Sequence, residues 1–455
     1  MKTPSTQSQL THANHGSGFL RMLLFISWRN IWRNPVRSLL TVSALSGSLV
    51  MLILYSAMLE GMSDQMISYA TDISTGKLQI HRKAYLDDQD LYATLSWQTL
   101  DQLEKQNPDL KFAPRLYAAG LASSKQNSTG VLIEAVDPKQ ENQVTHLLEH
   151  LRNGKADLEM APIKNDTQDE INPEGYGVLV GTQLAKNLQL TLGSELILMT
   201  QAADGSIGNA LYRVTGILSP FDPNFDRMGV LMSVPAYQDL MAMQNGIHEV
   251  AIKTPEDADL TEIQQHLQQQ LAEISTQQVK SGDTLKNLGG KFVVETWKQL
   301  NPSVASMLSL SRSMLLIIGV IVISLAALGM INTLMMAIHE RTHEFGILLS
   351  IGLKRWAILV MILLESLYLA VLSAIIGAVI GGAVALRFEH HGIDFSSQLP
   401  DGYDWAGVVF EPIMKGAISM EQIWQAVIMM LVLTVIASLI PALRTLKLNT
   451  AEAIR

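Results

Sequence analysis

The sequence predicts an α-helical membrane protein with four transmembrane helices plus a large α+β extracytoplasmic domain. Three observations predict it. Four uncharged or nearly uncharged apolar runs have spanning length; one lies near the start and three near the end; and the stretch 61–310 between the first two is polar, with short strand-like and helix-like segments.

A hydrocarbon core of about 30 Å needs roughly 20 apolar residues in a helix. The runs Ser38 to Leu59, Met314 to Ile338, Trp356 to Leu386 and Ile423 to Leu443 meet that requirement, and Glu365 in the third is their one charged residue. They divide the chain into an N-terminal segment 1–37, spans 38–60, 311–338, 356–386 and 422–443, the domain 61–310, a link 339–355, a short connection 387–421 and a tail 444–455. A hydrophobic content of 48% and a mean hydropathy of +0.20 suit such a mixture of membrane and soluble parts.

Short basic flanks resist translocation, so Lys and Arg mark the cytoplasmic side. Arg21, Arg29, Arg33 and Arg37 precede the first span, Arg341, Lys354 and Arg355 lie between the second and third, and Arg444, Lys447 and Arg455 follow the fourth. Both termini and the 339–355 link are therefore expected in the cytoplasm of a cell inner membrane, and the large domain in the periplasm. The first span is too long and too far from the N-terminus for a cleaved signal peptide. Before it, Phe19 to Arg33 has the pattern of an amphipathic interfacial helix, with Trp28 and Trp32 one turn apart and a stop near Pro35.

Without cysteine the outer domain has no disulfide and must be held by its own core. Strand length and alternation mark Gly177 to Val180, Ser194 to Leu198, Tyr212 to Leu218 and His248 to Lys253, whereas Thr182 to Leu190, Ala236 to Met243 and Leu260 to Ile274 have helical spacing. Asn153 to Pro173 reads as a loop. A net charge of −9 without a clustered basic patch excludes nucleic acid as a partner.

Two motifs compete for the 339–355 link. His339-Glu340-Arg341-Thr342-His343 satisfies the HExxH pattern, in which two imidazoles one helical turn apart hold zinc and the Glu activates water; Glu365 would be a third ligand. Read this way the chain is a membrane zinc metallopeptidase. The alternative is a helix that receives force from a partner.

A family resemblance favours the second. Gly181 to Leu196 (GTQLAKNLQLTLGSEL) followed by Tyr212 to Ile217 (YRVTGI) resembles the periplasmic core domain of MacB-type and FtsX-like ABC permeases. Trp28 to Ser38 (WRNIWRNPVRS), the pattern Glu-Arg-Thr-x-Glu-x-Gly over Glu340 to Gly346, and the ending Pro441 to Arg455 are similar to that family's corresponding segments. The segment Gly76 to Tyr85 leans toward its lipoprotein-releasing LolC and LolE branch. The resemblance implies a type VII ABC permease subunit, working as a homo- or heterodimer, that extracts or exports a lipophilic cargo such as lipoproteins by mechanotransmission. It makes 339–355 an ATPase-coupling helix, with Glu340, Arg341, Glu344, Gly346, Gly352, Lys354 and Arg355 as its contact residues, and His343 the occupant of a variable slot. Leu348 and Leu349 stand where the family often has basic residues. The implied partners are an ABC ATPase subunit, a second permease subunit, membrane lipids and a periplasmic carrier or adaptor. A related reading is a non-transporting regulator of a periplasmic hydrolase.

No G-x-x-x-x-G-K-[ST] loop occurs, so no cofactor is expected in this chain and ATP is assigned to the partner ATPase. Within the spans, Glu365 and Asn332 are the polar candidates, since such groups need a partner or a polar cavity. Asn332 is expected to bond to a neighbouring helix, and Gly377, Gly381 and Gly382 to admit close helix packing. His390-His391 adjoin but point to different faces.

Overall fold

The computed structural model describes residues 10–88, 90–162, 174–256, 258–280, 290–399, 403–405, 408–410 and 412–446. In chain order, α1 (Leu10–Ile31) and α2 (Pro35–Ser68) lead through a π-helical turn, Tyr69–Ser74, into β1 (Leu78–Arg82), α3 (Lys83–Asp88) and α4 (Trp97–Gln106). There follow β2 (Lys111–Ser123), β3 (Ser128–Val136), α5 (Pro138–Val144), β4 (Leu151–Gly154), β5 (Met160–Pro162), β6 (Glu174–Gly181), α6 (Thr182–Leu188), β7 (Glu195–Gln201) and β8 (Ile207–Leu218). Then come α7 (Pro223–Met228), β9 (Gly229–Ser233), α8 (Val234–Met241), β10 (Glu249–Lys253), α9 (Leu260–Lys280), β11 (Phe292–Thr296) and α10 (Trp297–Leu300). The last helices are α11 (Pro302–Glu340), α12 (Thr342–Ser350), α13 (Arg355–His391) and α14 (Met420–Thr445). Lys447 and Arg455, two of the basic residues expected to mark the cytoplasmic side, lie outside the described residues, as does the 163–173 part of the expected loop. The rest of that loop holds β4 and β5.

The chain divides into two compact units. The helical unit comprises 1–63, 309–393 and 413–455; the mixed unit comprises 64–308 and 394–412. Among the described residues four helices are long and apolar enough to cross a membrane: α2 with its π-helical extension, α11, α13 and α14. Each runs beyond its apolar run, because helical hydrogen bonding continues into flanks whose side chains are polar; α11, for instance, begins at Pro302 and ends at Glu340.

In the helical unit, Leu45, Leu49, Leu52 and Ile53 of α2 pack with Ile323 and Met330 of α11, Ala374 of α13 and Met430 of α14. Gly377 and Gly381 of α13 let α2 approach closely: a Cβ on Gly377 would lie 3.0 Å from the Ser46 carbonyl oxygen, and one on Gly381 3.0 Å from Ile53 Cδ1. Gly382 differs, since a Cβ there would make only an ordinary 3.8 Å contact with Ile423.

The mixed unit is built on a sheet of order β11-β1-β10-β2-β3-β9-β6-β8-β4, with β7 pairing both β2 and β8. In β7, Leu196 and Leu198 are buried while Ile197 and Met199 remain 40% exposed, the period of two expected of a strand with one buried face. With Val180, Val214, Val230 and Tyr237 they form one core. A second gathers Leu78, Ile80, Phe112, Ile252 and Val294 beneath Leu267, Leu271 and Ile274 of α9, one helical stripe. Each fully buried Leu or Ile contributes about 1.5–3 kcal/mol of transfer free energy. Around Arg115, a polar network is buried as well: its guanidinium donates to Glu141 at 2.6 and 3.2 Å and to Glu249 at 3.3 Å.

Candidate functional site

The 339–355 link is two pieces rather than one helix. His339 and Glu340 complete the last turn of α11, Arg341 adopts a non-helical φ of −106° and ψ of 10°, and α12 starts at Thr342. α12 ends because Gly352 adopts φ +102°, with Leu353 N–H donating to the Leu348 carbonyl at 3.0 Å and Gly352 N–H to Leu349 at 3.1 Å. This pair of bonds is the Schellman stop, which favours glycine because a Cβ is strained at that φ. Gly352 is thus a helix terminator, and Gly346 is buried inside α12.

The break at Arg341 also separates the HExxH residues. His339 Nδ1 lies 3.0 Å from the Met335 carbonyl on α11, His343 is exposed on α12, and Glu340 is engaged by Arg37 at 2.6 and 2.7 Å. The two imidazoles therefore do not share one continuous helix, and the carboxylate is held by a guanidinium. That geometry suits ion pairing rather than water activation.

What the residues form instead is a chain of charges across the α12 end of the helical unit. Arg33, just after α1, meets Glu344 at 2.5 Å; Arg37, in the first turn of α2, holds Glu340; Arg341 reaches Glu344 and Glu365 at 3.4 Å each. The hydrogen bond from Arg33, then that from Arg341, holds the Glu344 carboxyl below its ordinary range. Arg33 is raised in turn, mainly by its hydrogen bond to Glu344. Glu365, expected to need a partner, has one in Arg341, and both side chains are 14% exposed.

Packing fixes the same end. Phe345 is buried with Ile338, Ile358, Met361 and Ala442, and Leu348 and Leu349 pack against this cluster. Those two leucines face inward, where basic side chains would be desolvated without partners. α1 joins in through Ser27, whose hydroxyl donates to the Met361 carbonyl at 3.1 Å, and through Trp28, edge-on to Tyr368 at 5.5 Å. The opposite side of α12 stays open: Ile347 is 43% and Ile351 79% exposed, beside exposed His343 and Ser350. Lys354 is exposed at the start of α13, and Arg355 donates to the Leu446 carbonyl at 3.2 Å.

Among the described residues Asn332 makes no cross-helix hydrogen bond; it lies on the exposed face of α11, and the next residue, Thr333, meets Thr41 of α2 at 3.2 Å. Sequence reasoning treated Arg33 and Arg37 only as orientation markers and overlooked Ile347 and Ile351. The signal for the first was present in the family-like run from Trp28 to Ser38; an exposed apolar pair four residues apart on a short amphipathic helix was the signal for the second.

Comparison with known proteins agrees with this architecture. The family model described as MacB-like periplasmic core domain matches residues 38–270, and that described as FtsX-like permease C-terminal matches 316–450. The lipoprotein-releasing system transmembrane protein LolC of Xylella fastidiosa is 20% identical over 355 residues, covering 75% of this chain and 77% of that protein. An uncharacterized ABC transporter permease of Methanocaldococcus jannaschii is 25% identical over 286 residues, 62% of each. The macrolide export ATP-binding/permease protein MacB of Neisseria meningitidis is 25% identical over 184 residues, 40% of this chain and 27% of that protein. Among solved structures, the periplasmic region of MacB from Actinobacillus actinomycetemcomitans gives a TM-score of 0.32 at 12% identity, covering 50% of this chain and 92% of that one. With four apolar helices, a mixed α/β domain matched over half of the chain and an FtsX-like end, this protein belongs to the FtsX-like ABC transporter permeases that carry a MacB-like periplasmic core domain.

Proposed function

We propose that the chain is the permease subunit of an inner-membrane ABC system of the LolC and MacB type, coupling ATP hydrolysis by a separate ATPase subunit to motion of its periplasmic domain. The cargo class that fits is a lipophilic one such as lipoproteins, and the working unit is a permease dimer, homo- or heteromeric. A periplasmic carrier or adaptor would receive the cargo. The observation that carries this reading is the two-sided character of α12. Its inner face is held by Phe345 in the apolar cluster, by Arg33 through Glu344 and by Arg341 through Glu365 of α13, and Arg37 of α2 holds Glu340 at the adjoining end of α11, while Ile347 and the C-cap residue Ile351 are presented outward. A partner groove that grips the apolar pair moves the whole helix, and the ion pairs pass that displacement to the spans on either side. Glu340, Arg341 and Glu344 then act as internal struts, leaving Lys354, Arg355 and the isoleucines to meet the ATPase.

The experiment is affinity purification of the full chain in detergent, comparing wild type, Ile351→Asp and Glu340→Gln/Glu344→Ala, scored for co-purifying ATPase and for zinc by elemental analysis. The expected result is an ATPase with wild type, at least tenfold less with Ile351→Asp, and no stoichiometric zinc. One zinc per chain without ATPase would overturn the proposal in favour of the peptidase reading. ATPase retention unaffected by Ile351→Asp would remove α12 as the docking element.

A further inference from the structure

We infer that the mixed unit holds a binding site for a small aliphatic ammonium ion, in the cavity between β1, β2 and β10 bordered by Tyr85, Tyr117 and Glu249. The cavity is an open cleft of about 280 Å³ lined by Gln79, His81, Tyr85, Arg115, Tyr117 and Glu249 among others.

Hydrogen-bond bookkeeping around it leaves an acceptor with nothing to accept. Gln79 Nε2 donates to Glu249 at 2.7 Å, which turns its amide oxygen toward His81 Nε2 at 3.0 Å. An amide oxygen only accepts, so His81 carries its proton on Nε2 and presents a bare lone pair on Nδ1. That Nδ1 is buried and has no partner, in a residue only 2% exposed. His248, across the same aromatic cluster, makes the contrast: its Nδ1 accepts from Tyr117 N–H at 2.9 Å and its Nε2 meets the Leu91 carbonyl at 2.8 Å, so both nitrogens are satisfied. A buried polar atom left unpaired is costly, and here only a donor relieves it.

Charge points the same way. One guanidinium, Arg115, serves three carboxylates: Glu141 takes its two short bonds, Glu249 lies at 3.3 Å and Glu134 at 3.8 Å. With Glu141 neutralised by that bidentate pair, Glu249 is the carboxylate that lines the cavity, and Tyr117 Oη lies 3.3 Å from it. The walls are aromatic. Tyr85 stacks on His81 at 5.9 Å and on His248 at 5.3 Å, and lies 6.3 Å from Tyr117. A cation with N–H donors and a short apolar body matches all three features: the Nδ1 lone pair, the carboxylate and the ring faces. A bare metal ion would use the first two and leave the aromatic walls without a role. The cavity is also bordered by Ser74, the last residue of the π-helical turn after α2, and by Leu300, two residues before α11 begins.

The test is isothermal titration of the full detergent-solubilised chain with n-butylamine, with its uncharged N-acetyl derivative and with sodium, potassium and calcium chlorides. The expected result is saturable binding of the amine and none of the acetylated compound. His81→Phe and Glu249→Gln should each weaken it at least tenfold, while Glu262→Gln on exposed α9 leaves it unchanged. Tyr85→Leu, which spares the hydrogen-bond network, should weaken it about fivefold, a loss typical of one cation–π contact near 1 kcal/mol, and covers the case in which Glu249→Gln does not fold. Absence of amine binding at millimolar concentration, equal binding of the acetylated compound, or binding of a metal ion in place of the amine would each overturn the inference.

Discussion

Replacing Arg341 by Met tests whether the charge chain at the α12 end is structural. Arg341 is the one partner that Glu365 has among the ion pairs of the described residues, and both side chains are 14% exposed. Removing the guanidinium strands a carboxylate inside a helix packed by Ile358, Met361 and Ile362. Breaking a buried pair from one side costs about 3–5 kcal/mol; residual exposure and a single 3.4 Å contact place Arg341→Met near the lower end, about 3 kcal/mol. Glu365→Gln is milder, about 1 kcal/mol, because Arg341 keeps Glu344 and the amide remains a hydrogen-bonding group. The double variant Arg341→Met/Glu365→Gln carries no stranded charge, so its loss should stay near 2 kcal/mol, a coupling of roughly 2 kcal/mol against the sum of the singles. The assay is equilibrium unfolding in mixed micelles. Additive losses, or an Arg341→Met variant within about 0.5 kcal/mol of wild type, would refute the assignment of Arg341 as the strut that neutralises Glu365.

Helix packing makes a sharper contrast between two adjacent-looking glycines. Gly377→Val should push α13 off α2, since its Cβ meets a backbone oxygen at 3.0 Å, and lower stability by about 1–3 kcal/mol; Gly382→Val, with its nearest neighbour at 3.8 Å, should be tolerated in the same unfolding assay. Burial, opposed by Arg115, raises the Glu134 carboxyl to about 7 from its ordinary 4.5. A folded pKa above the unfolded one means that its stabilising contribution is full below about pH 4.5 and is lost as pH rises through about 7. Glu134→Gln should therefore flatten the fall in stability between pH 5 and pH 8, and an unchanged slope would show that other groups carry it.

The sequence by itself determined the membrane class, the count and place of the spans and the mixed character of the domain between them. Spanning length, the positive flanks and the periods of 3.6 and 2 are local properties, read from neighbours along the chain. Thus β7 and α9 were legible in the alternation of Glu195 to Leu198 and in the apolar stripe of Leu267, Leu271 and Ile274. The tertiary structure decided what the charges do. Arg33 and Arg37 are some 300 residues from Glu344 and Glu340, and nothing in either segment states that they meet. The break at Arg341, set by where α11 ends and α12 packs, separated two histidines that a continuous helix would have put on one face. Likewise His81 belongs to a strand, Leu78–Arg82, whose alternation predicts only that Gln79 and His81 share a face. That this face is buried against Arg115 and Glu249, leaving one imidazole nitrogen unpaired, follows from the pairing of β1 with β10 and of β10 with β2, contacts between segments far apart in the chain.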